Sequence, residues 1–376
     1  MGRFDRYLLS QLMVFFGFFA LILVLVYWTN QAVRLFDRLI ADGQSATVFL
    51  EFSALALPGV IRVVLPIAAF VAVVYTTNRL SSESELVVVQ ASGFSGFRLA
   101  RPVLAFGLIV ALLTAILAHF LVPAANRMLA IRSVEISQNI TARFLTEGSF
   151  LHPTDGVTFY IREIDASGRL LDVFLSDIRK PDSQITYTAK TAYLVRQDGG
   201  AKLVMLDGIA QSLNEKGRLS TTGFSDFSYD ISNLVRLNKD KRRSYDELST
   251  FQLLTAGEQI MRETGASHPM LIYAAHKRFS HSLMAIVAAL IGFSCLIVGG
   301  FSRFGVARQI VAAIVLLILI KTVDNVVADY AQQGLIRWPL IYLAPAVGIS
   351  ISTALLWLSS KPGLLRRLFT RRRQAV

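Results

Sequence analysis

Arg79-Leu80-Ser81-Ser82-Glu83-Ser84-Glu85-Leu86-Val87-Val88-Val89-Gln90-Ala91-Ser92-Gly93-Phe94-Ser95 is the stretch from which the organisation of the chain is read. It is short, amphipathic and polar at both ends, and it lies between two long apolar runs, 54–78 and 100–123. Each run is long enough to cross a hydrocarbon core of ~30 Å. The connector is therefore a short helix pinned at one membrane surface. Ser82 and Glu85 have the spacing of a capping box, in which the hydroxyl takes the amide of residue 85 and the carboxylate reaches back. Gly93 is placed to end the helix in a left-handed turn. Such a helix, fixed at both ends, can pass a push from a soluble partner to two spans. It can equally be a plain interfacial connector in which Glu85 only caps.

Working outward, the composition agrees with a polytopic membrane protein. Of 376 residues 53% are hydrophobic and 17% charged, too apolar for an ordinary soluble domain. Six apolar runs, 10–33, 54–78, 100–123, 279–300, 309–330 and 338–359, are of spanning length, and a polar region of about 124–270 separates the third from the fourth. The first run follows Arg3 and Arg6, is too long for a signal peptide and has no small-residue cleavage site after it, so it is read as a retained span. The expected fold class is an α-helical membrane protein of six transmembrane helices, three before and three after an inserted all-β, jellyroll-like domain. Its divisions are 1–123 with a surface helix at about 80–92, 124–270, 271–360, and a basic tail at 361–376.

Orientation follows from the short loops, because Lys and Arg concentrate on the cytoplasmic side. Lys361, Arg366, Arg367, Arg371, Arg372 and Arg373 crowd the tail, Arg303 and Arg308 flank one loop, and Arg79, Arg98 and Arg101 edge the surface helix. The opposite loop near 331–337 has only Arg337. Both termini and the surface helix are then cytoplasmic, and the inserted domain is extracytoplasmic. The net charge of +12 is a topology signal that also suits anionic lipid, and nucleic acid is not an expected partner.

The inserted region reads as short strands. Leu171, Val173 and Leu175 alternate with Asp172, Phe174 and Ser176, and Ile185, Tyr187, Ala189 and Tyr193 recur at even spacing. Further strands are expected at 157–164, 202–207, 210–214 and 218–231. A helix is expected after them, opened by a second capping box at Ser244 and Glu247, with Leu248, Phe251, Leu254 and Ile260 near one face.

Several chemistries are excluded or disfavoured. There is no G-x-x-x-x-G-K-[ST] loop, so the chain has no P-loop for ATP, and no H-E-x-x-H. Cys295 is the single cysteine, the five histidines are scattered, and no metal or cofactor is expected. Ionisable residues inside or at the ends of spans carry more information, since charge in hydrocarbon is costly. Arg34 and Arg38 lie one turn apart at the outer end of the first span, and Lys321 lies about 18 Å into the fifth. They suit a cationic lining for an anionic amphiphile. Alternatively Lys321 pairs with Asp324, and the arginines snorkel to the interface. Gly292, Gly299 and Gly300 suit close helix contact, and Pro66 a kink.

The segment 79–95, with Leu65-Pro66 before it, resembles the lipopolysaccharide-export permeases of the LptF/LptG family. Arg34-Leu35-Phe36 with Ala41-Asp42-Gly43 is similar to the LptF branch. Leu145-Thr146-Glu147-Gly148-Ser149-Phe150 followed by Phe159-Tyr160-Ile161 resembles the family's entry into its periplasmic domain. The stretch 275–282 departs from the family's opening of the fourth span by lacking its acidic residue and proline. The resemblance implies a permease subunit, not an enzyme, that pairs with a sister permease and binds a cytoplasmic ATPase dimer. The complex would extract lipopolysaccharide from the inner membrane and pass it to the periplasmic bridge proteins LptC and LptA. It implies that the surface helix couples to the ATPase through Glu85, Leu86 and Gly93. Arg34, Arg38 and Lys321 would face lipid A phosphates, and the β domain would take acyl chains.

Two other classes remain open on sequence. A non-transporting sensor or assembly scaffold with an outer β ligand-binding domain would have no ATPase partner. An ion-coupled transporter would use Lys321, Asp324 and Asp329 as relay groups, but the sequence offers only that one cluster and no paired broken helices.

Overall fold

The computed structural model describes residues 2–41, 45–143, 147–165, 167–180, 183–197, 200–214, 217–231, 242–298, 306–332, 334 and 337–361. They form two units, Met1–Leu129 with Arg242–Val376, and Ala130–Lys241. In chain order the helices are α1 (Arg3–Ala41), α2 (Ala46–Ser82), α3 (Glu85–Ala91), α4 (Gly96–Ile116) and α5 (Val122–Arg143), the last two joined by a π-helical turn, Leu117–Leu121. After the sheet come α6 (Thr250–Leu254), α7 (Glu258–Thr264), α8 (His268–Val298), α9 (Ala307–Ala331) and α10 (Leu343–Ser359), with a 3-10 turn, Trp338–Tyr342, leading into α10. Among the described residues six helical stretches are long and apolar enough to cross a membrane.

The helical unit is built around α8. In its most apolar stretch 78% of the residues are buried, against 11% for α1 and for α9, which leave broad apolar faces open. One face of α8 (Ile286, Ala289, Phe293) packs with Leu8 and Leu12 of α1, Val64 and Val73 of α2, and Val103 and Phe106 of α4. Its other face (Val287, Ile291, Cys295) meets Phe70 and Val74 of α2, Ala313 and Ile320 of α9, and Ala344 of α10. Small residues allow these approaches. A Cβ on Gly292 would lie 3.2 Å from the Phe70 ring, and one on Gly348 would collide with Val287. Gly299 and Gly300 lie outside the described residues. α2 remains one helix through Pro58 and Pro66.

Two local expectations are corrected. Ser82 does not cap α3. The apolar run of α2 carries that helix through Ser82, whose hydroxyl donates back to the Asn78 carbonyl at 3.0 Å, as an interior serine does. The turn falls instead at Ser84, at φ 61°, and α3 begins at Glu85. The helix expected after the sheet is three short pieces. The Ser244–Glu247 box forms but opens only a 3-10 turn, Tyr245–Glu247. A second box, Ser249–Gln252, starts α6, and Gly265 at φ 65° ends α7. Leu248 and Leu253 are consequently buried while Phe251 is 74% exposed, so the expected stripe is not a face.

The second unit carries one antiparallel sheet of six strands in sequential order: β1 (Phe150–Thr154), β2 (Val157–Ile164), β3 (Leu170–Lys180), β4 (Ser183–Gln197), β5 (Gly200–Asn214) and β6 (Leu219–Asp230). A seam crosses it. The row Arg162, Asp172, Lys190, Asp207 and Ser225 drops out of the pairing register, and Asp172 and Asp207 have φ of 49° and 50°. At the seam the inward alternation slips by one residue. Core residues run Ile161 then Ile164, Leu170 then Val173, Ala189 then Ala192, and Phe224 then Phe227. β3 thus buries Leu170 rather than Leu171 along with Val173 and Leu175, and Tyr193 of β4 is exposed. Both sides of the seam serve one core, so the sheet has to turn there and cover itself, as strands do at the corners of sandwiches. The stretches 202–207 and 210–214 are accordingly a single strand, interrupted in phase at Asp207.

Candidate functional site

α3 is held more firmly than a seven-residue helix could hold itself. Leu86 is buried in the core shared by α1, α2, α4 and α8. At its C-terminus the Phe94 amide reaches the Val89 carbonyl and the Gly93 amide the Gln90 carbonyl, with Gly93 at φ 91°. This is the Schellman pattern, and it fits the expected left-handed end. Ser95 then caps α4 by accepting from the Arg98 amide at 3.3 Å, and the Arg98 guanidinium lies 3.9 Å from the centre of the Phe94 ring. Phe94 also meets Phe4 of α1 edge-on.

The other face of α3 is open. With the start of α1 it lines a groove of about 520 Å³ that includes Phe4, Tyr7, Glu83, Glu85 and Val88. Val88 is 66% exposed, whereas Glu85 is half-buried. The Glu85 carboxylate accepts one long hydrogen bond, 3.4 Å, from the Tyr7 hydroxyl. Glu83, rather than Glu85, takes the nearby cation, pairing with Arg79 at 3.0 Å. An acid with one weak partner beside exposed valines is suited to receiving a basic or polar group from another protein.

The cationic positions are separate from this groove. Arg34 donates to Gln31 on its own helix at 3.0 Å. The Arg38 side chain lies outside the described residues. Lys321 pairs with Asp324 at 2.6 Å, the local pair that the sequence allowed, and its side chain remains 60% exposed while Asp324 is 17% exposed. No hydrogen bond or ion pair joins Arg34 to Lys321 among the described residues. Both stand on α1 and α9, the helices with the most uncovered apolar surface.

Sequence reading missed a second polar cluster, around Arg62 and Arg278. Arg278 is 7% exposed and donates to the Thr250 hydroxyl at 3.0 Å and the Leu248 carbonyl at 2.8 Å, tying α6 to α8. On another side of the same helix His276 stacks on Trp338 at 3.9 Å and bonds the Tyr342 hydroxyl at 3.0 Å. The available signal was Arg62, an arginine well inside an apolar run. No group of three or more metal-ligating side chains occurs among the described residues.

A family model described as lipopolysaccharide export system permease LptF/LptG matches residues 6–359, nearly the whole chain. The chain belongs to the LptF/LptG family. Six spanning helices with an antiparallel sheet inserted between the third and fourth agree with that membership. An uncharacterized protein of Rickettsia prowazekii is 21% identical over 316 residues, covering 82% of this chain and 86% of that one. LptF of Escherichia coli K12 is 26% identical over 201 residues, 53% of each chain. LptG of the same strain is 25% identical over 159 residues, 42% of this chain and 41% of that one. The chain thus spans about half or less of these two named permeases, and it is more like LptF than LptG. As an LptF/LptG protein with six apolar helices it is a multi-pass membrane protein.

Proposed function

We propose that this chain is the permease subunit of an ATP-driven exporter that draws lipopolysaccharide out of the inner membrane and passes it to a periplasmic bridge. The observation that carries the proposal is α3. It is a clamped helix between two spans, and its open face offers Glu85 with one 3.4 Å partner. The chain has no P-loop of its own, so energy enters through a partner that docks on such an element. In this reading α3 and both termini are cytoplasmic, and the β unit is periplasmic. A sister permease packs on the open apolar faces of α1 and α9, in contacts that van der Waals fit rather than escape from water would drive. The ATPase dimer meets Glu85, with Leu86 and Gly93 holding the helix in place. Arg34, Arg38 and Lys321 contact lipid phosphate, where charge-assisted bonds are strong. LptC and LptA receive the substrate from the β unit.

The test is affinity purification of the full chain from its native membrane in mild detergent, with partners identified by mass spectrometry and ATP turnover assayed. Recovery of a second six-span permease and an ATPase, with turnover reduced in Glu85→Ala, supports the reading. Recovery of the chain alone, without turnover, refutes it and favours a sensor or scaffold.

A further inference from the structure

Arg62 of α2, Lys277 and Arg278 of α8 converge on a partly enclosed cavity of about 240 Å³, which Asp246, Tyr273 and His281 also line. The proposed export route makes no use of it. Its lining does not balance in charge: Arg62, Lys277 and Arg278 face one carboxylate, Asp246, which forms no ion pair with them among the described residues. Its donors are not satisfied either. The Arg62 Nε and the Tyr273 hydroxyl are both buried without a hydrogen-bond partner among the described residues. Arg278 is fixed by Thr250 and Leu248, so its guanidinium is held in place, and Lys277 lies over the Tyr273 ring at 5.4 Å.

Unpaired donors and surplus positive charge inside a membrane helix bundle are costly, and such groups ordinarily meet a ligand or a counter-charge. Water can satisfy the donors but leaves the excess of positive charge in the lining uncompensated. An anion answers both, and guanidinium forks fit the oxygens of phosphate in particular. The position along the helix also bears on the ligand. Arg62 precedes Asn78, at the α3 end of the second apolar run, by 16 residues, or about 24 Å of helix. In a core of ~30 Å that is close to the headgroups of the opposite surface.

We propose that this cavity, whose lining includes neither Arg34 nor Lys321, binds a phosphate-ester anion within the single chain. The source is a lipid headgroup or free phosphate, and the chemistry is shared. The proposal does not depend on the coupling role of α3.

The experiment uses the full chain in phosphate-free detergent, with the thermal unfolding midpoint followed during titration. The probes are inorganic phosphate, short-chain phosphatidic acid, and a short-chain diacylglycerol as the uncharged control. A ligand that binds only the folded state raises the midpoint saturably. The expected result is a saturable rise with a phosphate probe and none with diacylglycerol. Arg62→Gln is expected to weaken the apparent affinity about 10- to 100-fold. Arg262→Gln, at a side chain 82% exposed on α7, serves as the control and leaves the affinity unchanged. Saturation by phosphatidic acid far below inorganic phosphate identifies a headgroup site, and equal saturation a free-phosphate site. Either supports the proposal. No saturable rise with either phosphate probe, or an equal response in Arg62→Gln and the natural chain, overturns it. Should Arg62→Gln fail to fold, Lys277→Gln carries the same comparison.

Discussion

Glu85 and Leu86 are neighbours with opposite surroundings, and that contrast separates docking from folding. Among the described residues the Glu85 carboxylate has one hydrogen bond, at 3.4 Å, so Glu85→Ala should cost the fold under about 1 kcal/mol. Leu86 is 6% exposed within the main helical core, so Leu86→Ala should cost about 2–5 kcal/mol. If Glu85 gives the ATPase a charge-assisted contact, its loss should weaken docking by about 1.5–3 kcal/mol, or roughly 10- to 100-fold in affinity. The assay pairs the unfolding midpoint of the purified chain with the amount of ATPase retained at limiting concentration. Glu85→Ala should leave the midpoint nearly unchanged and release the ATPase. Leu86→Ala should lower the midpoint first. If Glu85→Ala retains the ATPase as well as the natural chain, or unfolds as readily as Leu86→Ala, the division of labour within α3 is wrong.

Three further outcomes are expected. Lys321→Glu, beside Asp324, should put two acids where the proposed route needs a cation; site-specific photo-crosslinking to lipopolysaccharide should fall several-fold, and an unchanged yield would reject the phosphate contact. Asp177 in β3 accepts from Arg179 at 2.6 and 2.8 Å and from the Tyr229 hydroxyl of β6 at 2.7 Å. The Arg179 contacts hold its carboxyl well below the usual carboxylate range. Its stabilisation is therefore full above about pH 4 and lost as pH falls through the lower folded value. Asp177→Asn should cost about 1 kcal/mol at pH 7 and flatten that acid response, read as hydrogen-exchange protection of β3 and β6 peptides compared at matched pH. Gly348→Ala should cost about 1–3 kcal/mol by driving a methyl into Val287, and Val287→Ala in the same chain should restore most of the midpoint.

The layout was legible because spans and strands announce themselves by hydropathy. Six apolar runs and the alternation in 157–164 need no tertiary information. What escaped was set by continuity and phase. Ser82 has the spacing of a cap, yet the helix before it does not stop, and spacing alone cannot say which of two overlapping signals prevails. The pieces α6 and α7 were hidden by a plausible stripe, although Ser249–Gln252, Gly257 and Gly265 were in plain view. A strict period of two puts Leu171 inward in place of Leu170, because it cannot register the positive φ of Asp172. At the candidate site, Gly93 and the Lys321–Asp324 pair depend on local spacing and could be read. The Arg62 cluster depends on α2, α8 and the segment at 245–250 coming together, which no local pattern encodes.

The seam through the β unit also constrains how that unit can go wrong. A strand sliding by one residue normally needs only to exchange its faces. Here it would also carry Asp172 or Asp207 out of line with its neighbours, placing left-handed backbone opposite ordinary pleat. Five strands thus share one registration mark. Single-residue insertions and deletions should be tolerated at the hairpin tips and rejected between the seam and either strand end, so tolerance to length change should trace the corner of the sheet.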